Sequence, residues 1–467
     1  MKVLSKYLND ESLKLTTLTE WKIVFFLLLF SFVLGSLYVF LTPPWQAPDE
    51  ITHYEYIDIL SHAKIFMIKQ KPDYNLQKEI IKSMDKFNAW EYVYREAPSP
   101  LPEKFIDFPV YRESILKVNR PPLYYILSSL LLKTFKTDNL LLKHYIIRLF
   151  SLFLSLFTIL FVFLSAKIVF NGNFFYSIAA ACFLAFLPQF MISSSSINSD
   201  NLANLVGAFS IYIFLFSLKH LRNHYILLTF PFILIIAFST GSTTFFLIPF
   251  LVVFCIIYLL KSQKSNRSGI ILLIAIIISI FLIVYLFFHI IFSELGKRLA
   301  ENYLPWLISW IRIFHGNYHV RFDKPFILML FKSFWCYAGW MAFPLPNYIY
   351  RILEVVSLFG FLGIIKYILL KLFKVRQRFP VKVDYFILLV SFCFFSLAAV
   401  FFRGVPMARY FFPALSACAI LFILGFKELI PFKSDKIALI SLILSLAVFN
   451  VYTIFNHIIN VFYFHFW

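Results

Sequence analysis

Two adjacent carboxylates and a histidine stand where the first long apolar run of the chain ends, in a segment that opens at Pro48. Proline has a fixed φ and no amide proton, so Pro48 suits the first position of a helix, with Asp49 and Glu50 in a first turn whose dipole favours negative charge. Side chains four residues apart share a helix face, so Asp49 and His53 can act on one reacting group or ion, and Tyr56 continues that face. The alternative is a helix start with ordinary first-turn acids.

Further charged side chains are predicted on the same side of a membrane. Asp200 follows a serine-rich turn between two later apolar runs. Placing an ionisable group at bilayer depth costs about 2.5 to 3.5 kcal/mol, so several of them on one side need partners or a purpose. Acids together with cations at an outer membrane edge suit a substrate that carries a lipid phosphate. The residues that we assign to substrate binding are His53, Arg120, Arg148, Lys332, Arg403, Arg409 and Tyr410.

Each of these cations also has a purely structural interpretation. Arg403 and Arg409 can be snorkelling anchors at the ends of spans, and Lys332 can do the same from an interfacial helix. Arg148 can be the buried partner of an acid in the first outer loop. Lone histidines such as His53 are more often structural hydrogen-bonding groups than catalysts, so its assignment depends on its spacing from Asp49.

The composition excludes a soluble globule. Of 467 residues, 61% are hydrophobic, 20% are aromatic and only 14% are charged, and the mean hydropathy is +0.80, so a polar surface cannot be built. The net charge of +19 is concentrated in short gaps between apolar runs, which is how topology is set in membrane proteins, so it does not indicate nucleic acid as a partner. The sequence therefore predicts an all-α polytopic membrane protein, a single integral membrane domain over 1–467.

Runs of about 20 apolar residues are needed to cross the hydrocarbon core of a bilayer. Such runs predict about eleven transmembrane helices. They lie at 23–42, 145–169, 174–193, 201–218, 224–239, 243–260, 268–291, 348–370, 384–402, 409–426 and 438–457.

Two further apolar stretches are assigned by the charges around them. The stretch 123–132 is too short to span, so it is read as an interfacial helix, and 326–343, bounded by prolines, is read as an outer interfacial or re-entrant helix. This assignment puts the lysine- and arginine-rich gaps on the N-terminal side, so the positive-inside rule predicts a multi-pass protein of the cell membrane with a cytoplasmic N-terminus. Two large outer loops follow, at 43–144 and 292–347, and the first contains a predicted amphipathic helix near 76–87.

Several segments together resemble the GT-C superfamily of polyprenyl-phosphate-dependent glycosyltransferases, in particular members related to protein mannosyltransferases and aminoarabinose transferases (glycosyltransferase family 39). Their order along the chain carries the resemblance more than any one of them does. The segments are Pro48-Asp49-Glu50 with His53, Arg120-Pro121-Pro122-Leu123-Tyr124-Tyr125, Arg148-Leu149, Pro188-Gln189-Phe190 with Asn198-Ser199-Asp200-Asn201-Leu202, Lys332-Ser333-Phe334-Trp335 with Gly339-Trp340 and Pro344-Leu345-Pro346, and Ala408-Arg409-Tyr410-Phe411-Phe412-Pro413-Ala414.

The resemblance implies a catalytic carboxylate in the first outer loop, here Asp49 with Glu50 beside it, and a second acid in a later outer turn, here Asp200. It also implies a lipid-linked sugar donor that enters from the bilayer. The chain departs from the family in two places. Arg120 stands where members often have His or Gln, and the segment 239–242 lacks the lysine that many members carry there, which leaves open how the lipid is held.

Sugar transfer from a polyprenyl phosphate needs a base for the acceptor hydroxyl and positive charge for the departing phosphate. We expect Asp49 to be the base, on the extracytoplasmic face, and Arg403, Arg409 or Lys332 to bind the phosphate. Asp200 is expected to orient the acceptor or, with Asp49, to hold a divalent cation, Mg²⁺ or Mn²⁺; two acids leave metal dependence open. The expected partners are the lipid-linked donor, a glycan, lipid or protein acceptor, and membrane lipids.

Three other classes of protein compete with this interpretation. A lipid or solute transporter or flippase places its charged sites near the middle of the membrane and shows a repeat between halves, and no repeat is visible here. A polysaccharide ligase or polymerase would use a diphosphate-linked donor. A structural membrane protein would have little reason to keep three acids on one face. Convergence of Asp49, Glu50 and Asp200 in one outward cavity would discriminate among them.

Overall fold

A computed structural model of the chain shows a helical protein. The residues that the structure describes are 18–64, 70–90, 98–108, 118, 120–221, 224–262, 271, 274, 278, 323–339, 341–375, 381–431 and 434–464. Apart from positions 271, 274 and 278, the predicted span at 268–291 lies outside these residues, and so does the second outer loop up to residue 322.

Fifteen α-helices make up most of the described residues. In chain order they are α1 (Leu18–Leu41), α2 (Glu50–His62), α3 (Tyr74–Lys86), α4 (Leu123–Phe135), α5 (Leu140–Val169), α6 (Phe174–Ala185), α7 (Pro188–Ser194), α8 (Asp200–Lys219), α9 (Thr229–Thr240), α10 (Leu247–Ser262), α11 (Lys324–Trp335), α12 (Asn347–Leu372), α13 (Val383–Arg403), α14 (Leu415–Leu429) and α15 (Asp435–Thr453). Short 3₁₀ helices lie at Phe105–Asp107, His224–Leu228, Ser242–Thr244, Ala408–Tyr410 and Phe412–Ala414, and a π-helix at Ile454–Phe464 continues α15. The strands β1 (Tyr337–Ala338) and β2 (Phe343–Pro344) pair antiparallel.

Eight helices in the described part of the chain are long and apolar enough to cross a membrane: α1, α5, α8, α10, α12, α13, α14 and α15, with the adjoining 3₁₀ or π turns included. They correspond to eight of the eleven predicted spans, so the chain is a multi-pass membrane protein whose helices contact lipid, and the count of eleven is not confirmed. Outward apolar side chains fit that environment, since Phe25, Phe26 and Phe394 are all more than 60% exposed.

Two of the remaining predicted spans are broken by local chemistry. The run 174–193 forms α6 and α7, which meet at an angle of 62°. Pro188 opens α7 and Leu187 before it is extended, because a proline disfavours helical geometry in the residue that precedes it. The run 224–239 forms a 3₁₀ helix and the 12-residue α9, which is shorter than a bilayer requires.

The helices predicted in the outer loops are found, with one change. The amphipathic helix near 76–87 is α3, capped by Asp73, whose carboxylate accepts two backbone hydrogen bonds. The short helix α4 has 13 residues, too few to span. The predicted helix at 326–343 is α11 only as far as Trp335, and the β1–β2 hairpin replaces the rest.

Close packing joins the helices that carry the site. A Cβ at Gly207, in α8, would overlap the carbonyl oxygen of Pro413, so only glycine allows α8 to approach the segment that carries Arg409. The hydroxyl of Tyr38 in α1 donates to Oδ1 of Asn450 in α15 at 2.8 Å. These contacts join α8 to the segment before α14, and α1 to α15.

Candidate functional site

The carboxylates of Asp49 and Asp200 meet at one guanidinium. Nη2 of Arg409 lies 3.3 Å from Oδ2 of Asp49, and its Nε lies 3.7 Å from Oδ2 of Asp200. The three side chains are only 11 to 17% exposed. The fold therefore gathers two acids from separate turns of the chain, as the sequence predicts, and places a cation between them.

The backbone at Asp49 differs from the prediction. The helix α2 begins at Glu50 rather than at Pro48, and Asp49 is its N-cap with a φ of 64°. Asp is one of the few non-glycine residues that tolerate this left-handed conformation. The carboxylate of Asp49 makes no capping hydrogen bond; it is directed at Arg409. The expected sharing of one helix face by Asp49 and His53 is thus replaced by a turn that separates Asp49 from the helix.

A cavity of about 190 Å³ opens beside the two acids. We call it the charged cavity. In it, Nδ1 of His53 lies 2.9 Å from the hydroxyl of Tyr125, and the two rings stack. The hydroxyl of Thr243 donates to Oδ1 of Asp200 at 3.5 Å. Seven predicted site residues line the charged cavity: Asp49, His53, Arg120, Asp200, Arg403, Arg409 and Tyr410.

An apolar groove of about 740 Å³ adjoins the charged cavity. Phenylalanines and alanines of α13 form much of its wall, together with Phe245, Phe246 and Pro249. Arg120, Arg403 and Tyr410 line both spaces, as do Ser242 and Thr243. The polar and the apolar volumes therefore meet at two arginines and a tyrosine.

Tyr410 holds the two arginines of its own segment. The guanidinium of Arg403 lies 3.9 Å from the centre of the Tyr410 ring, and Nη2 of Arg409 donates to the Tyr410 hydroxyl at 3.2 Å. Burial by itself raises the pKa of Tyr410, but the two guanidiniums outweigh it and hold that pKa below its ordinary value. The phenol thus lies beside two guanidiniums, of which Arg403 is the one that is not paired with Asp49 or Asp200 in the structure described.

Glu50 and Arg148 form a separate buried cluster behind the charged cavity. Both side chains are fully buried, and Nε and Nη2 of Arg148 bind the two oxygens of Glu50 at 2.8 Å each. The backbone N–H groups of Trp45 and Ile197 also donate to Glu50, both at 3.1 Å. Burial alone raises the pKa of Glu50, but Arg148 and His144 hold it well below its usual range.

The buried cluster corrects two expectations. The carbonyls of Val39, Thr42 and Pro43 accept the other N–H groups of Arg148, so all five donors of its guanidinium are used inside the protein. Arg148 thus has no donor left for a substrate phosphate, and its structural interpretation as the partner of an outer-loop acid holds. Glu50 lines neither the charged cavity nor the apolar groove, so its geometry fits an architectural carboxylate rather than a catalytic one.

Lys332 is also placed away from the charged cavity. Its ammonium lies 3.3 Å from Oδ1 of Asn347 and 4.9 Å from the centre of the Tyr350 ring. Its neighbour Ser333 instead reaches the segment of Arg409, since its hydroxyl accepts from the N–H of Ala408 at 3.0 Å. The structure therefore joins α11 to the site through Ser333 and not through Lys332.

The residues around Asp49 and Asp200 fit an arginine bridge better than a metal ion. Within the described residues, no group of three or more His, Cys, Asp or Glu side chains is placed to hold a metal. The hydroxyl of Thr243 and the amide oxygen of Asn198 lie beside Asp200, and the guanidinium of Arg409 stands between Asp200 and Asp49. A divalent cation needs more hard oxygen ligands than this, so the Mg²⁺ or Mn²⁺ expectation stays a prediction.

Uncharged polar residues that the sequence analysis did not single out also approach the acids. Asn198 lines the charged cavity, and its Oδ1 accepts from the N–H of Asp200 at 2.9 Å. Gln46 and Asn204 are buried on the other side of Asp200. Amides at span ends look like ordinary interfacial residues in a sequence, although Asn198 belongs to a segment that carries the family resemblance.

A comparison with family models identifies the family of the chain. A family model described as "Predicted membrane protein (DUF2142)" matches residues 32–418, which is more than half of the chain. No curated protein matches it. The matched range includes Asp49, Asp200 and Arg409.

Proposed function

We propose that this chain, which belongs to the DUF2142 family of membrane proteins, is a membrane glycosyltransferase. It would move a hexosyl or pentosyl unit from a polyprenyl-phosphate donor to an acceptor hydroxyl on the extracytoplasmic face, with Asp49 as the general base. The acceptor class is a glycan, a lipid or a protein.

The observation that carries the proposal is the junction between the charged cavity and the apolar groove. A polyprenyl phosphate has a long apolar tail and a small anionic head, so it needs an apolar channel that ends at cations. Arg120 and Arg403 line both volumes at the point where they meet. Arginine forks bind phosphate oxygens through paired hydrogen bonds, which suits this position.

The resemblance to GT-C glycosyltransferases supports the same function. Asp49, Arg120, Asp200 and Arg409 come from four different segments of that resemblance, and all four line the charged cavity. Segments that are far apart in the chain would have no reason to converge in this way if each matched by chance.

The proposed reaction is a single displacement at the sugar. The carboxylate of Asp49 takes the proton of the acceptor hydroxyl as the acceptor oxygen bonds to C1 of the sugar. The bond between C1 and the phosphate oxygen breaks, and its electron pair leaves with the polyprenyl phosphate. Positive charge at Arg120 and Arg403 stabilises the charge that develops on the departing phosphate.

Arg409 has a different role in this proposal from the two phosphate arginines. Its guanidinium is engaged by Asp49 and Asp200, so it keeps both carboxylates at fixed positions and offsets their mutual repulsion. Asp200 opens α8, where the helix dipole favours a negative charge. From there it orients the acceptor hydroxyl toward Asp49.

Transfer from labelled donors tests the proposal. Membranes that contain the protein would receive radiolabelled polyprenyl-phosphate mannose, glucose or arabinose, and label that leaves the lipid would be counted. We expect transfer from at least one donor, and Asp49→Asn should lower it by about 10²- to 10⁴-fold, the usual contribution of a general base. Asp85→Asn is the matched control, because Asp85 is an exposed acid of the same outer loop.

A lipid flippase is the second candidate, because an apolar groove beside a charged cavity can also carry a lipid phosphate without chemistry. Reconstituted vesicles with a fluorescent polyprenyl phosphate separate the two functions. In one outcome the lipid still crosses the bilayer in Asp49→Asn and no donor gives sugar transfer. That outcome would identify the protein as a lipid flippase and not as a glycosyltransferase.

A further inference from the structure

A second cavity adjoins the Asp200 and Arg409 pair. Its volume is about 50 Å³, which by the space one water needs corresponds to about four water-sized positions. Asp200, Asn198 and Arg409 line both this cavity and the charged cavity, so they form the wall between the two. We call it the amide cavity after the side chains that it adds to that wall: Gln46, Gln189, Asn201 and Asn204.

Two of these amides carry buried polar atoms that have no hydrogen-bond partner among the described residues. Gln46 is 1% exposed, and neither its Nε2 nor its Oε1 has a partner there. Asn204 is 2% exposed, and its Oδ1 has none there. A buried polar group left in this state costs about 1–3 kcal/mol, so such groups usually serve a ligand or an ordered water.

The charged members of the amide cavity are already matched inside the protein. All five N–H groups of Arg148 are used, and Arg409 stands between two carboxylates. The other polar groups of the lining are amides and hydroxyls. Such a lining recognises uncharged hydrogen-bonding groups, whereas the charged cavity, with Arg120 and Arg403, recognises an anion.

We propose that the amide cavity binds the acetamido group of an N-acetylamino sugar, with Gln46 and Asn204 as specificity-determining residues; this rests on the proposed function. An acetamido group has one N–H donor, one carbonyl acceptor and four heavy atoms. Nε2 of Gln46 would donate to the acetamido carbonyl, and Oε1 of Gln46 or Oδ1 of Asn204 would accept from its N–H. The four heavy atoms match the size of the cavity.

An N-acetylamino sugar can belong to the donor or to the acceptor, and two probes distinguish these sources. Free N-acetylglucosamine would place only its acetamido group in the amide cavity and carries no phosphate for Arg120 and Arg403. N-acetylglucosamine 1-phosphate would span both cavities if the sugar is the donor's, because the phosphate then reaches Arg120 and Arg403. Tighter binding of the phosphorylated probe that is lost in Arg403→Ala assigns the sugar to the donor, and equal binding of both probes assigns it to the acceptor.

Saturation-transfer NMR on the full chain in nanodiscs tests the site without any need for turnover. We expect the acetyl methyl of N-acetylglucosamine to receive the strongest signal, glucose to bind at least tenfold more weakly, and Gln46→Leu and Asn204→Leu to weaken N-acetylglucosamine by about tenfold. Equal binding of glucose and N-acetylglucosamine, or unchanged binding in both variants, would overturn the proposal.

Thermal unfolding of the same variants separates a ligand site from a structural role. An amide that the protein does not use can be replaced by a leucine of similar size with no loss of stability. Gln46→Leu should therefore unfold at the wild-type temperature or above it, and a clear loss of stability would assign Gln46 to structure instead. Because binding and transfer are measured separately, a failure of this proposal can be told apart from a failure of the proposed function.

Discussion

Asp49 and Glu50 are neighbours in the chain and carry the same functional group, yet the structure gives them opposite settings. Glu50 accepts four hydrogen bonds from Arg148, Trp45 and Ile197 and is fully buried. Asp49 lines the charged cavity and meets Arg409 at 3.3 Å. A carboxylate whose lone pairs are taken by protein donors holds the fold together, whereas one that faces a cavity can still act on a substrate.

One backbone angle separates the two acids. Asp49 has a φ of 64° and caps α2 from outside, while Glu50 is the first residue of that helix. The turn sends consecutive side chains to different sides of the chain, one toward Arg409 and one toward Arg148. If the two acids divide structure and chemistry in this way, loss of Glu50 should affect folding and loss of Asp49 should affect transfer.

The largest expected effect is on stability. Glu50→Ala would leave the buried charge of Arg148 without its carboxylate, a change that costs about 3–5 kcal/mol in comparable buried pairs. We expect little folded protein by fluorescence-detected size exclusion and a much lower unfolding temperature. Asp49→Asn, at the neighbouring acid, should fold normally, because asparagine also tolerates the left-handed backbone of Asp49; equal stability of the two variants would remove the contrast between them.

A smaller effect is expected on donor binding. Arg403→Ala would remove one of the two cations at the junction of the cavities while leaving Asp49 and Arg409 in contact. We expect the KM for the lipid donor to rise by about 10- to 100-fold, as for loss of one charged hydrogen-bonding group, with kcat changed much less. Arg351→Ala, at an exposed arginine, is the control. A fall in kcat at an unchanged KM would place Arg403 in the chemical step instead.

The positions of most helices follow from the sequence, because few backbone structures other than the α-helix can cross a bilayer. Apolar runs of about 20 residues form helices wherever no water can satisfy the backbone, so eight spans stand where they were predicted. The angle between α6 and α7 depends on how one proline is packed, and the β1–β2 hairpin depends on contacts such as the one between the N–H of Tyr337 and Oε1 of Gln189. Pro188 marks the break in the sequence but not its angle, and the hairpin has no comparable mark.

The sequence predicted which residues belong to the candidate site. It did not predict that Asp49 faces a cavity while Glu50 is buried against Arg148. Alternation of loops across a membrane was enough to put Asp49, Asp200 and Arg409 on one side. The separation of Glu50 from Asp49 was not predictable, because Arg148 lies 98 positions from Glu50 and the deciding φ is a tertiary outcome. The sequence did not predict the amide cavity, because Gln46 and Asn204 carry no charge. Only the structure shows that both side chains are buried, where a polar atom without a hydrogen bond destabilises the fold.

Glu55, a buried acid of the same helix α2 as Glu50, extends the comparison to pH. Its Oε1 accepts from Nε2 of Gln77 at 2.7 Å, and Oε1 of Gln77 accepts from the N–H of Phe105 at 3.0 Å, so Glu55 ties α3 and the Phe105 segment to α2. Glu50 has Arg148 beside it, whereas burial raises the pKa of Glu55 to about 7 from an ordinary value of 4.5. The two acids of one helix should therefore respond to pH in different ways.

Because the pKa of Glu55 is raised in the folded protein, its contribution to stability falls as the pH rises. Below about pH 4.5 Glu55 is protonated in the folded and the unfolded outer loop, and its contribution to stability is fully present. As the pH rises toward 7 the unfolded loop releases the proton first, so packing of α3 on α2 weakens across this window and then levels off. Hydrogen exchange of the backbone amides of residues 74–86, corrected for the intrinsic effect of pH, should become about three- to tenfold faster between pH 5 and pH 7.5.

Glu55→Gln should abolish this dependence on pH, since an amide does not titrate, and Asp85→Asn should leave it intact. The same pH dependence of exchange in Glu55→Gln would mean that another group sets the stability of this loop. The difference in setting between Glu50 and Glu55 would then have no consequence for the packing of α3 on α2.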